Sequence, residues 1–403
     1  MTPLRIAIVA HGRFHAFDLA RELIALGHDV RLYTNYPVSA ATRYGIPPER
    51  VESFLLHGAA VRAAARFASA ARQRALEPFL HTQFGRWAAR RLARRAWDVI
   101  HCWSGVSEEL LESPRIGRRV ALLMRGSSHI NVQSRLLTHE AARVGHQIDR
   151  PSRWMQQREQ REYGAADAIV VLSSFAAGSF ESEGVPAHRV SILPLGVDVR
   201  AFRAPGRVVV ERRQRIQEGD LIRVLYTGAV SFRKGFWDLA AAIRDLKNER
   251  FTFTLVGEVL PEVVPLMRDL RSSGCRVTAT GRVPQAKLPG VYAEADIFVF
   301  PTIEDGFAMV LSQAQASGLP TIGATNSAAP DLIQEGRNGW VIPSGDALAL
   351  VDRLRRCAEH REVLAHMVAA IPDTFVPRDW SDVARDFETI CVTRLRERAS
   401  NGR

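Results

Sequence analysis

Residues 300–325, FPTIEDGFAMVLSQAQASGLPTIGAT, carry the end of a strand, two adjacent carboxylates and a helix in one run. DIFVFP (296–301) reads as a buried strand, and GFAMVLSQAQAS as a helix that opens just after Asp305 and stops at Gly318. Asp305 is well suited to cap that helix, and Phe307, Val310, Leu311 and Ala314 have the spacing of a buried helix face. Gln313 stands eight residues beyond Asp305, a separation of ~12 Å at the helical rise of ~1.5 Å per residue. A ligand lying along the helix fits that span. An anionic group at the N-terminus would meet free backbone N–H groups and the helix dipole. Asp305 would then accept hydroxyl hydrogens at one end of the ligand while Gln313 grips a diol at the other.

Outward from this stretch the same alternation repeats. LRIAIVA, DVRLYT, DVIHCW, VALLM, AIVVLS and VSIL read as one series of strands, and IRVLYTG, FTFTLVG, RVTATG, DIFVFP, LPTIGA and GWVIP as a second. Amphipathic segments long enough for crossover helices separate them, which predicts parallel sheets covered by helices on both faces. The chain of 403 residues exceeds the usual size of one core, so the reading is α/β with two doubly wound, Rossmann-like domains facing a central cleft. Its parts are residues 1–192, residues 193–374, and a C-terminal helix in 375–403 that returns to the first domain. GVDVRAFRAPGRVVVERRQRIQEGD, with Pro205 and dense Arg, reads as the linker region.

Composition narrows the function classes. The apolar run IAIVA is short and is followed at once by HGRFH, which suits a first strand rather than a signal peptide, and no run approaches the ~20 apolar residues of a membrane span. Cys102, Cys275, Cys357 and Cys391 are scattered without a metal or disulfide spacing, which fits a reducing cytoplasm. His11 and His15 would suit a metal only if they shared a helix with a third ligand nearby, so no metal site is expected. The net charge of +11 favours an anionic partner: nucleic acid, an anionic membrane surface or a phosphorylated substrate. In YTGAVSFRKGFWDLAAAI a strand ends at Gly228, a helix begins near Gly235, and Arg233 and Lys234 occupy the turn between them. A forked donor beside a compact charge suits a diphosphate.

In order and spacing, IAIVAHG, LIALGHDVRLYT, VSILPLGVDVRAF, TGAVSFRKG, FPTIEDGFAMVLSQAQASGLP and IQEGRNGWVIPSGD resemble the retaining glycosyltransferases of family 4, also called group 1, which have the GT-B fold. The resemblance covers most of the chain. It implies a donor nucleotide sugar, UDP- or GDP-linked, held mainly on the C-terminal domain, and an acceptor on the N-terminal one. It implies that Arg233 and Lys234 bind the donor diphosphate, and that Asp305 and Gln313 stand where the family has a pair of Glu residues contacting sugar and ribose. Gly12, Arg282, Glu304, Gly306, Phe307 and Ala308 complete the implied donor site, with Asp305 and His129 as catalytic candidates. Departures from the pattern include the shorter Asp305, the neutral Gln313, Ala229 after the Gly, SAAPDLI where a Gly pair is usual, and MRGSSHI, in which His129, with Arg125 nearby, is the candidate for a missing histidine.

The implied reaction is retaining hexosyl transfer to a hydroxyl acceptor, a saccharide or lipid-linked saccharide in cell-surface glycan synthesis. The sequence has no Asp-x-Asp, so charge on the leaving group would be met by Arg233, Lys234 and helix N-termini, with no metal cofactor. The nearest alternative is a nucleotide-sugar epimerase. A glycoside hydrolase fits poorly because Glu304 and Asp305 are adjacent. An NAD enzyme would need a glycine fingerprint where the chain has HGRFHAF, and no nucleic-acid motif is present, so no specific nucleic acid is expected. Arg62, Arg66, Arg72, Arg74, Arg86, Arg90, Arg91, Arg94 and Arg95 are opposed only by Glu77. Leu76, Leu80, Phe84 and Trp87 share one face of this segment, interrupted at Pro78. Two readings stay open: a peripheral contact with the inner membrane face, or a helix packed onto its own domain.

Overall fold

The computed structural model describes residues 2–114 and 119–401. Among them the strands form two parallel sheets, seven-stranded and six-stranded. The first contains β1 (Arg5–Ala10), β2 (Asp29–Thr34), β3 (Val51–Ser53), β4 (Val99–Trp103), β5 (Val120–Met124), β6 (Ala168–Val171) and β7 (Val190–Ile192), in the order β3-β2-β1-β4-β5-β6-β7. The second contains β8 (Ile222–Thr227), β9 (Phe251–Val256), β10 (Val277–Gly281), β11 (Ile297–Phe300), β12 (Thr321–Ala324) and β13 (Gly339–Ile342), in the order β10-β9-β8-β11-β12-β13.

The side-chain period of two distributes β1 between two cores. Ile6, Ile8 and Ala10 face the helix Ala16–Ala25 and the C-terminal helix Trp380–Asn401, whose Val383, Ala384, Phe387 and Cys391 are buried in the same cluster. Ala7 and Val9 face the opposite layer with Phe84, Ala88 and Leu92. A strand covered on both sides in this way has no solvent face, which is why it reads as an unbroken apolar run. The second sheet is enclosed likewise, with Leu239 and Ile243 of the helix Phe236–Asp245 and Leu350, Val351 and Leu354 of the helix Ala347–Glu359 in its core.

Strand order fixes where a ligand can sit. In the first sheet the order reverses between β1 and β4, and in the second between β8 and β11. Loops leaving the carboxyl ends of such a strand pair diverge and leave a crevice. Both crevices open toward the interface between the sheets, where loops 126–128 and 304–306 meet: a Cβ on Gly306 would lie 2.2 Å from the Gly126 carbonyl oxygen.

Three local expectations change. The edge strand β3, VES, has one apolar residue and no recognisable alternation, so the sequence gives no sign of it. The helix Ala70–Leu92 runs through Pro78 rather than breaking there. The stretch read as a linker holds two helices, Val199–Phe202 and Gly206–Gln217. The second of these buries Arg212 completely. Its guanidinium donates to the carbonyls of Tyr292 (3.0 Å), Ala295 (2.7 Å), Ser317 (2.9 Å) and Gly318 (2.7 Å). A charged residue at the inward position hides the helix from a hydrophobic pattern.

Arg212→Met keeps the volume but strips these carbonyls of their donor. We expect a loss of about 3 kcal/mol, read as a lower urea midpoint with an unchanged slope.

Candidate active site

The crevice of the second sheet is built by two loops. After β8 the chain runs through Gly228 to Gly235, which opens the helix Phe236–Asp245 in the left-handed region at φ 77°. Gly is required there, because a Cβ would lie 1.7 Å from the Pro301 carbonyl oxygen. That close approach brings the β8 loop against the β11 loop, with the Ile303 amide donating to the Arg233 carbonyl at 3.0 Å. Arg233 and Lys234 therefore face Glu304 and Asp305. The Arg233 Nη2 to Glu304 Oε2 and Lys234 Nζ to Asp305 Oδ2 distances are both 2.7 Å.

The two carboxylates differ in what capacity they retain. Asp305 Oδ1 accepts from the amides of Phe307 (3.1 Å) and Ala308 (2.8 Å), while Oδ2 meets only Lys234 among the described residues. Its cap therefore closes a turn rather than the helix itself. Ala308 adopts φ 63°, and the helix starts at Met309, later than the sequence suggests. Glu304 is fully buried. Its Oε1 accepts from the amide and hydroxyl of Ser128, both at 2.9 Å, and its Oε2 accepts from Gln133 at 3.0 Å as well as from Arg233. Burial pushes both carboxyls up, but Arg233, Lys234 and the hydrogen-bond donors outweigh it and hold both below their ordinary values.

A cavity of about 620 Å³ lies across this junction, lined by Arg125, Gly126, Ser127, Gln133 and Glu159 on one side and by Asp305, Phe307, Ala308 and Met309 on the other. Phe14, exposed beside it at the end of the β1 loop, has φ 39°; it and Ala308 are the non-glycine residues with positive φ among those described. Gly12 supports that loop, since a Cβ there would meet the Phe14 ring at 2.7 Å. Gln313 lines an adjoining cavity of about 510 Å³ that shares Arg13, Phe14, His15 and Met309 with the first. There its Oε1 accepts from the Tyr292 hydroxyl at 3.2 Å.

The remaining candidates have mixed surroundings. Phe307 packs into the core of the first sheet while touching the cavity. Gly306 gives its carbonyl to the Ser173 hydroxyl at 2.7 Å, across the domain interface. Arg282 pairs with Glu258 and lines a separate groove with Arg268 and Arg271. His129 caps the helix Ile130–Val144, its ring packed on Tyr163 and Phe180 at 4.9 Å; burial lowers its pKa to about 4, and it does not line the cavity. Arg125 faces the cavity instead. His11 and His15 do not share a helix, and burial lowers the pKa of each to about 3.

Ser128, Gln133 and Glu159 were not singled out from the sequence. In the helix Ile130–Val144 the inward face reads Ile130, Gln133, Leu137, Glu140, Val144. Polar residues at core positions of an otherwise regular apolar stripe were the available signal.

Two family descriptions match the chain: Glycosyltransferase Family 4 over residues 13–201 and Glycosyl transferases group 1 over residues 222–360. The chain belongs to the group 1, family 4 glycosyltransferases. It is 29% identical over 211 residues to the GDP-mannose-dependent alpha-(1-6)-phosphatidylinositol monomannoside mannosyltransferase of Mycobacterium tuberculosis, a match covering 48% of this chain and 54% of that protein. To the amylovoran biosynthesis glycosyltransferase of Erwinia amylovora it is 24% identical over 250 residues, 59% of each chain. The chain thus spans little more than half the length of these relatives. In fold it is similar to Anabaena Alr3699/HepE in complex with UDP and glucose, with a TM-score of 0.68 at 16% identity, covering 97% of this chain and 100% of that one. These matches do not favour an epimerase.

Two outcomes follow for the closed cleft. Gly306→Ala forces its new methyl against Gly126, so small-angle scattering is expected to show a larger radius of gyration. Because both carboxyls sit below their ordinary values of 4.5 and 3.8, their contribution is complete above those values and is lost as pH falls through the depressed ones. The scattering profile should hold as pH falls to 4.5, and opening should set in only below it, as Glu304 is protonated.

Proposed function

We propose that this chain moves a hexose from a UDP- or GDP-sugar to a hydroxyl of a saccharide or lipid-linked saccharide, with retention at the anomeric carbon and without a metal in the chemistry. The observation that carries this reading is the convergence of Arg233 and Lys234 on the Asp305 turn at the β8/β11 switch point. A diphosphate there would meet two fixed positive charges as its own charge develops, which is electrostatic preorganisation. Arg233 has capacity to receive it: Nη2 serves Glu304 and Ser127, while Nη1 makes no hydrogen bond among the described residues.

In the transfer step the bond from anomeric carbon to phosphate oxygen breaks and the bond from acceptor oxygen to that carbon forms on the same face. The acceptor proton passes to the departing phosphate. Asp305 Oδ2 retains lone-pair capacity for a hydroxyl of the transferred sugar, and Arg125, Gln133 and Glu159 wall the acceptor side. Closure of the two domains excludes water and so suppresses hydrolysis.

The acceptor class draws support from the helices Leu55–Phe67 and Ala70–Leu92. They leave Leu55, Leu56, Phe67, Leu76 and Phe79 exposed, together with Arg62, Arg66, Arg72 and Arg74. Phe84, Ala88 and Leu92 pack the inner end onto the domain. Apolar side chains flanked by Arg suit an anionic membrane interface that presents a lipid-linked acceptor. No helix among the described residues is long and apolar enough to cross a membrane.

Thermal shift against UDP, GDP, ADP and their sugars should identify one nucleotide that raises the melting temperature, and Lys234→Ala should weaken its binding about tenfold. Unchanged binding in that variant would remove the phosphate role. Sedimentation with anionic vesicles, but not neutral ones, is expected at low salt; equal recovery would point to a soluble acceptor.

A further inference from the structure

Glu304 has a different bonding pattern from the Asp305 beside it. Its carboxylate offers about four acceptor positions, and the Ser128 amide, the Ser128 hydroxyl, Gln133 and Arg233 take them. No capacity is left for a substrate hydroxyl. Ser128 and Gln133 belong to the first domain, so separating the domains would leave Arg233 as the remaining donor.

The orientation of Gln133 is imposed from behind. Arg125 has only donors, and its Nη2 bonds Gln133 Oε1 at 2.7 Å, so Gln133 must turn Nε2 toward Glu304. Arg125 is itself held by Glu159 at 3.0 Å and by the Ser128 carbonyl at 3.0 Å, and Glu159 accepts from the Tyr163 hydroxyl at 2.5 Å. The result is a directed chain, Glu159–Arg125–Gln133–Glu304–Arg233, running from the core of one domain to the cation of the other. Arg125, Gln133 and Glu159 wall the 620 Å³ cavity, and Gln133 and Arg233 both line a second cavity of about 510 Å³ that opens beneath the helix Ala70–Leu92.

We infer that Gln133 and Glu304 are positioning residues: together they aim the Arg233 guanidinium at the donor diphosphate, and do so only when the domains are closed. Glu304 grips Arg233 through Nη2 alone, leaving Nη1, which makes no hydrogen bond among the described residues, to meet phosphate. Closure on an acceptor in the adjoining cavities thereby completes the donor site. This inference rests on the reading that Arg233 binds the donor diphosphate.

The test is calorimetric binding of UDP and GDP, with whichever binds used throughout, to the full chain and to Gln133→Leu, Glu304→Gln, Arg233→Ala and the pairwise combinations. Gln133→Leu and Glu304→Gln should each weaken binding about tenfold, and their combination should be no weaker than the worse single variant. In the Arg233→Ala background Gln133→Leu should have no further effect on affinity, because its route to the nucleotide is gone. An effect of Gln133→Leu that persists undiminished without Arg233, or no effect with it, overturns the inference while leaving the donor site standing. Unchanged binding in Arg233→Ala overturns both. Should Gln133→Leu fail to fold, Ser128→Ala removes one donor from the same carboxylate and is read by the same criteria.

Discussion

Two carboxylates follow β11, Glu304 fully buried and Asp305 at the cavity wall, and the cations that neutralise them come from the loop after β8. Leaving a buried charge without its partner costs about 3–5 kcal/mol, so the β8 and β11 loops are bound to one another as firmly as a piece of core. The strands are neighbours because the sheet order reverses there, and the loops touch because Gly235 lets the chain pass against Pro301. The rest of the site inherits its geometry from this meeting. Glu304 then extends the arrangement across the interface to Ser128 and Gln133, which ties the relative placement of the domains to the same charges.

Adjacent residues have been given opposite tasks. Glu304 is enclosed and saturated, while Asp305 borders the cavity with one oxygen only partly engaged. The difference follows from the loop after β11, in which Asp305 is turned onto the Phe307 and Ala308 amides while Glu304 is drawn to Ser128 and Gln133. One points toward the interface and serves the assembly of the domains. Its neighbour lies where a ligand can be read. A family pattern with a single Glu at this place would not by itself indicate that the preceding carboxylate is structural.

Much of this was legible in the sequence because parallel strands buried on both faces appear as unbroken apolar runs, and the turns between them concentrate Gly and charge. Arg233, Lys234 and Asp305 could be picked out on that basis, and the structure brings them together. Edge strand β3 escaped because three residues with one apolar side chain carry no period. The helix around Arg212 escaped because its inward residue is charged and satisfied by carbonyls from distant loops. The cross-domain bonding of Glu304 could not be foreseen since Ser128 and Gln133 lie more than a hundred residues away, nor could the placement of His129 as the cap of the helix Ile130–Val144. Long-range partners leave no local trace.

The central claim is that the Arg233–Lys234 turn and the Asp305 turn receive a single diphosphate. A crystal structure of the chain with its bound nucleoside diphosphate tests this most directly. The account predicts phosphate oxygens within hydrogen-bond distance of both Arg233 and Lys234, with Arg233 still anchored to Glu304. A diphosphate bound elsewhere, with the Lys234–Asp305 pair undisturbed and no phosphate near Arg233, would contradict it.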